Sequence, residues 1–98
     1  MKHYIAIIEE GDATHATGVW FPDLPGCFSA GDTLDEAIMN AREALALWAS
    51  SILADGGTMP AARSLAILKS VPEIAEEIDR YIVAAVPYLP DRILFAAE

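Results

Sequence analysis

One thiol, two imidazoles and fifteen carboxylates are the groups in this 98-residue chain with reactivity to offer. Cys27 is the only cysteine. A hairpin over 21–27 brings its thiol near Phe21, and pairing of the first two strands across residues 10–14 brings His3 to the same end. A thiolate activated by an adjacent imidazole is a covalent catalyst. No third group stands ready to orient His3, however, and a cysteine at the head of a strand is most simply a small buried apolar residue. His15 lies at the far end of its strand. Two histidines and one cysteine so dispersed make no tetrahedral metal set. No catalytic, cofactor-binding or metal-ligating residue is assigned. Asp23 stands alone inside a Pro-rich turn, where it either bonds nearby amides or meets a basic partner. Glu73, Glu76 and Glu77, with Asp79, form a run that is a solvated helix face or a second partner-binding candidate. Trp20, Phe21 and Phe28 flank the turn, and aromatics in that position pack on a core more readily than they stack a ligand.

The elements that must position these groups are short and well punctuated. Lys2–Glu9 alternates with apolar residues on both faces, which predicts a central strand covered on both sides. Residues 10–14 form a Gly-containing hairpin loop, and His15–Phe21 is a second strand whose Gly18 suggests a bulge or a close approach. Pro22 and Pro25 fix φ around a turn closed by Gly26. Cys27–Ala30 is a third strand. Gly31-Asp32 breaks it, and Thr33 with Glu36 forms a capping box ahead of a helix from Leu34 to about Ala54, stopped by Gly56-Gly57. Leu34, Ile38, Ala41, Leu45, Trp48 and Ile52 form its core stripe. After Glu43 the helix carries no charge on any side, a pattern that predicts burial all round. Ser64 caps a short helical segment, Pro72 opens another, and Arg80–Tyr88 reads as a fourth strand ended by Pro87 and Pro90. The order is β-β-β-α-β, an α+β class, with the helix as a right-handed crossover that sets strand four parallel to the strand it joins.

Composition narrows the function classes. The length suits a single domain over 1–98, with a core in 2–88 and a short tail at 89–98. The formal net charge is −9, from fifteen acidic and six basic residues. That balance disfavours direct DNA or RNA binding, which relies on Lys and Arg to displace counterions, and favours a basic partner. A chain 54% hydrophobic that is also so acidic is expected to hide surface against a partner or a copy of itself. The oligomer-interface candidates are Ala46, Leu47, Ala49 and Leu53 on the uncharged half of the helix, and Ile93, Leu94 and Phe95 in the tail. A homodimer or higher homo-oligomer is the expectation. A single cysteine, no leader and no apolar run of membrane length predict a cytoplasmic protein with no membrane contact.

The run FPDLPGCFSAGDTLDEAIMNAREAL, residues 21–45, resembles the signature of HicB-type antitoxins. The residues that carry it are Phe21, Pro22, Asp23, Leu24, Pro25, Gly26 and Cys27 in the turn, then Thr33, Glu36 and Ala37 at the helix start. The resemblance implies a partial RNase H-like two-layer fold with sheet order 3-2-1-4 and one long helix on one face. It also implies a partner, a small basic HicA-type toxin that cleaves mRNA, neutralised when the acidic domain covers its RNA-binding surface and catalytic histidine. RNase H-like nucleases clamp metal ions with carboxylates from mid-strand one, the helix and the end of strand four. Here strand one has acids only at its end, Glu9 and Glu10, and strand four none inside. The implied protein is a binding module and not an enzyme. Many members continue into a DNA-binding module. Residues 91–98 are too short for one, so no separate DNA-binding domain is expected. The alternatives are a stand-alone oligomeric regulatory or structural module and a degenerate hydrolase using Cys27 or leftover carboxylates.

Overall fold

The computed structural model describes residues 2–88. The chain runs β1 (Lys2–Glu9), β2 (Thr17–Trp20), β3 (Phe28–Gly31), α1 (Leu34–Ala54), α2 (Leu65–Leu68), α3 (Pro72–Arg80) and β4 (Ile82–Tyr88). The class is α+β. The four strands form one sheet in the order β3-β2-β1-β4, as the resemblance implied.

The direction of β4 corrects the sequence expectation. β4 runs antiparallel to β1, with Ile8 opposite Ile82 and Lys2 opposite Tyr88. A crossover of one helix would have delivered it parallel. Here α1 descends along β3, bonding residue 30 through Asn40 and residue 25 through Trp48. The connector with α2 and α3 then returns the chain to the end where β1 finishes. β4 enters from there and must run back.

α1 begins and ends where its caps place it. Thr33 Oγ1 accepts from the Glu36 amide at 3.1 Å. The Glu36 carboxylate accepts from the Asp32 amide at 3.2 Å, one residue earlier than a regular capping box. At the far end the Gly57 amide donates back to Ile52 O. The stripe α1 buries is made of alanines around one leucine: Ala37, Ala41, Leu45 and Ala49. Larger residues flank it. The small stripe lets the helix approach the sheet closely. A Cβ at Gly31 would stand 2.5 Å from the Ala37 amide nitrogen, so only glycine fits there. Tyr4, Ala6, Ile8, Val19, Phe21, Leu24, Cys27 and Val86 complete the core on this side.

The opposite sheet face is covered in part. Ile7 and Leu68 are fully buried, yet α3 has no buried residue. Trp20 points to this side. Its indole Nε1 donates to Glu77 of α3 at 3.3 Å, and its ring meets Tyr81 edge-on at 5.3 Å. The connector helices therefore supply the second cover that β1's two apolar faces require.

Three further expectations need correction. β2 is shorter than 15–21, because His15 is held in the hairpin loop. Gly18 is neither a bulge nor a close approach: it pairs regularly with Glu9 and Ala30, and a Cβ there would meet nothing within 4 Å. The second half of α1 is not buried all round, since Leu47 is 72% and Leu53 50% exposed.

Candidate partner-binding face

The Pro-rich turn is a structural lock. Leu24 N bonds Phe21 O, and Cys27 N bonds Leu24 O. Gly26 carries φ +85°, a left-handed conformation that glycine adopts without strain. The indole of Trp48 donates to Pro25 O at 3.2 Å, tying the turn to α1. Asp23 lies beneath, and its placement overturns its candidacy as a partner contact. Its Oδ1 accepts from Arg63 Nε at 2.6 Å and its Oδ2 from the Arg63 amide at 2.8 Å. Both oxygens are engaged, and the side chain is 4% exposed. The turn grips the connector through an ion pair buried on the Asp23 side. Tyr4 assists by donating to Pro60 O at 2.6 Å; burial first, then the nearby Asp23 and Tyr88, hold its hydroxyl above the usual tyrosine range.

The thiol and imidazoles stay apart. Cys27 is buried, and that burial pushes its thiol up to about 11. His3 is exposed and pairs in register with Pro87. His15 closes the hairpin: Asp12 Oδ1 faces its Nδ1 at 3.1 Å and accepts from the Thr14 and His15 amides. The Thr14 amide first, then the His15 and Thr14 side chains, hold the Asp12 carboxyl below the usual range. Among the described residues no group of three His, Cys, Asp or Glu side chains is placed to hold a metal ion.

The acidic candidates sit around the partly covered sheet face. Glu77 caps Trp20. Glu76 pairs loosely with Arg80 at 3.4 Å, and Glu73 is exposed in the first turn of α3. One shallow hollow runs along Glu73, Glu76, Glu77, Arg80 and Tyr81. It adjoins a second lined by Ile8, Glu9, Glu10, Arg80, Tyr81 and Ile82. A third continues along Glu9, Glu10, Gly11, Asp12 and His15 to Gly18. Glu9, Glu10 and Asp12, none of them a partner-binding candidate from the sequence, thus join the α3 acids along one rim.

Phe28 departs from its expected place. It is 70% exposed, directly opposite Trp20 in register and on the α3 side of the sheet. Only Phe21 of the three aromatics is buried. The period of two along β3 carried the signal, since a buried Cys27 sends Phe28 to the other face. On α1, Leu47 and Leu53 are exposed and Ala46 half-buried. Ala49 is 1% exposed in the protein's own core and has no surface to offer a second copy. Met39, 60% exposed, joins the outer side of the helix. Ile93, Leu94 and Phe95 lie outside the described residues.

Comparison with known proteins places this arrangement. Residues 4–91 match the family described as HicB_like antitoxin of bacterial toxin-antitoxin system. An uncharacterized 14.9 kDa protein of Haemophilus phage HP1 is 42% identical over 57 residues, which span 58% of this chain and 43% of that protein. The crystal structure of the Burkholderia pseudomallei antitoxin HicB superposes with a TM-score of 0.71 at 28% identity, over 89% of this chain and 63% of that one. The HicA3 and HicB3 toxin–antitoxin complex holds a chain that superposes with a TM-score of 0.68 at 27% identity, over 90% of this chain and 99% of that one.

Proposed function

The chain belongs to the HicB-like antitoxins of bacterial toxin–antitoxin systems, and from that membership we propose that it neutralises a small basic, mRNA-cleaving HicA-type toxin by covering its RNA-binding and catalytic surface. The family and its solved antitoxins make the chain a regulatory protein without enzymatic activity. The observation that carries the proposal is the likeness over nearly the whole fold to a chain solved together with its toxin. The net charge of −9 suits a basic partner. Neutralisation is then occlusion plus charge complementarity, and no group of this chain turns over. The proposed compartment is the cytoplasm, where mRNA is cleaved. Among the described residues no helix is long and apolar enough to cross a membrane.

Direct DNA binding by this chain alone is not part of the proposal. Arg63 and Arg80, two of its six basic residues, already face carboxylates of the chain itself. Expression of the cognate HicA-type toxin, a small basic protein to be sought beside this gene, should arrest growth and deplete mRNA, and co-expression of this chain should restore both. Continued arrest, with the chain present in excess, contradicts the reading.

A second reading, a stand-alone homo-oligomeric module, draws on Leu47 and Leu53 exposed along the outer side of α1. Leu47→Glu should then dissociate it without unfolding it. Sedimentation equilibrium decides: a parent chain that is monomeric at tens of micromolar removes this reading.

A further inference from the structure

We propose that the α3-side face of β2 and β3, centred on Phe28 and Gly18, is the surface that seats the basic toxin. This rests on the antitoxin reading above and assigns the site within it. Four residues make the centre. Phe28 is 70% exposed, and Trp20 stands directly opposite it. Ala30 is exposed and paired with Gly18, above which lies open space. Two strands thus present a bare strip with one large apolar side chain standing on it. An aromatic anchor inside a polar rim is the anatomy of a protein-binding centre.

The rim chooses the partner. Glu9 is the register neighbour of Gly18 and is exposed on the same side. Glu77 caps Trp20. The hollow that reaches Gly18 continues to Glu10 and Asp12. Arg80, which lines the α3 hollow, already faces Glu76, and the His15 ring lies against Asp12. A second copy docked here would set carboxylates against carboxylates, and like charges across an interface weaken it. RNA would meet the same repulsion. A small basic protein gains steering from the rim and burial from Phe28.

Gly18 makes the proposal testable with little disturbance of the fold, because a Cβ there meets nothing within 4 Å. The assay is titration calorimetry of the full chain against its cognate HicA-type toxin, the small basic protein to be sought beside this gene, carried as an inactive histidine variant. Phe28→Ala and Gly18→Lys should each weaken binding at least about tenfold, with circular dichroism and melting unchanged. Glu9→Lys should weaken it further as salt is lowered. The same charge change at the other end of the molecule, Asp55→Lys, should leave affinity within about twofold, since exposed charges beyond a Debye length are screened. Tight binding by the parent with no loss in Phe28→Ala or Gly18→Lys overturns this surface and leaves the antitoxin reading standing. No binding by the parent overturns both. A parent dimer that Phe28→Ala turns into a monomer assigns the face to a second copy and overturns the proposal.

Discussion

The two faces of the sheet are built differently. Against α1, the residues Tyr4, Ala6, Ile8 and Val19 meet an alanine stripe, and none of them is more than 2% exposed. Side chains pin the helix along its length: Ser29 donates to Ala37 O, Asn40 to Ala30 O and Trp48 to Pro25 O. The Asn40 bond also engages a backbone carbonyl of β3, the edge strand of the sheet on this side. Against α2 and α3, among the described residues only Ile7 and Leu68 are fully buried, and Trp20 holds α3 by a long hydrogen bond to Glu77 and a ring contact with Tyr81 at its end. One face carries the stability. The other is left partly bare, acid-rimmed and cheap to alter. Perturbing each face in turn should separate stability from binding.

The largest stability loss belongs to the α1 side. Leu45→Ala removes a side chain that is 1% exposed and should destabilise by about 2–5 kcal/mol, read as a shift of the urea midpoint. A shift under about 1 kcal/mol would mean that the alanine stripe closes the cavity, against expectation. Asp23→Ala follows. It leaves Arg63 without its carboxylate and should cost about 2–3 kcal/mol, less than the loss of a fully buried pair because Arg63 is 38% exposed.

Those two positions show how far the sequence was legible. The strands, the limits of α1 and the Thr33 cap follow from local signals: alternation, a hydroxyl followed by Glu three residues on, and glycines at the stop; the order of the strands in the sheet came only with the family resemblance. Asp23–Arg63 joins residues 40 apart, and no spacing rule announces such a pair. The direction of β4 was missed for a related reason. Pro72 and the acids after it marked α3, but the reversal comes from packing α3 across the sheet, a tertiary fact. Phe28 sets two signals against each other: its aromatic character points inward, while the period of two in β3 points it outward, and the phase decides. Ala49 was placed on the surface because an alanine run looks alike on every side. Which alanines face inward depends on where the sheet lies.

Smaller effects sharpen the contrast. Cys27 should react slowly with a thiol reagent at neutral pH in the native state and rapidly in denaturant, since burial favours the neutral thiol. The sign of the linkage follows. The folded thiol titrates near 11, above its ordinary 9.0, so its contribution is intact below pH 9 and is lost as pH rises toward 11. Fast native labelling at pH 7 contradicts this burial. Trp20→Phe keeps the ring and deletes the bond to Glu77. It should cost no more than about 1 kcal/mol globally while raising amide exchange in α3 well above that in α1. Equal exchange in both helices would mean that α3 is held as firmly as α1.

Hydrogen exchange of the full chain, alone and saturated with the proposed basic toxin, tests the account at its centre. Protection should appear on binding in β2, β3 and the amides around Glu9 and Glu77, with the outer side of α1 unchanged. Protection confined to α1 around Leu47 and Leu53, with β2 and β3 exchanging as before, would contradict the assignment of the bare face to the toxin.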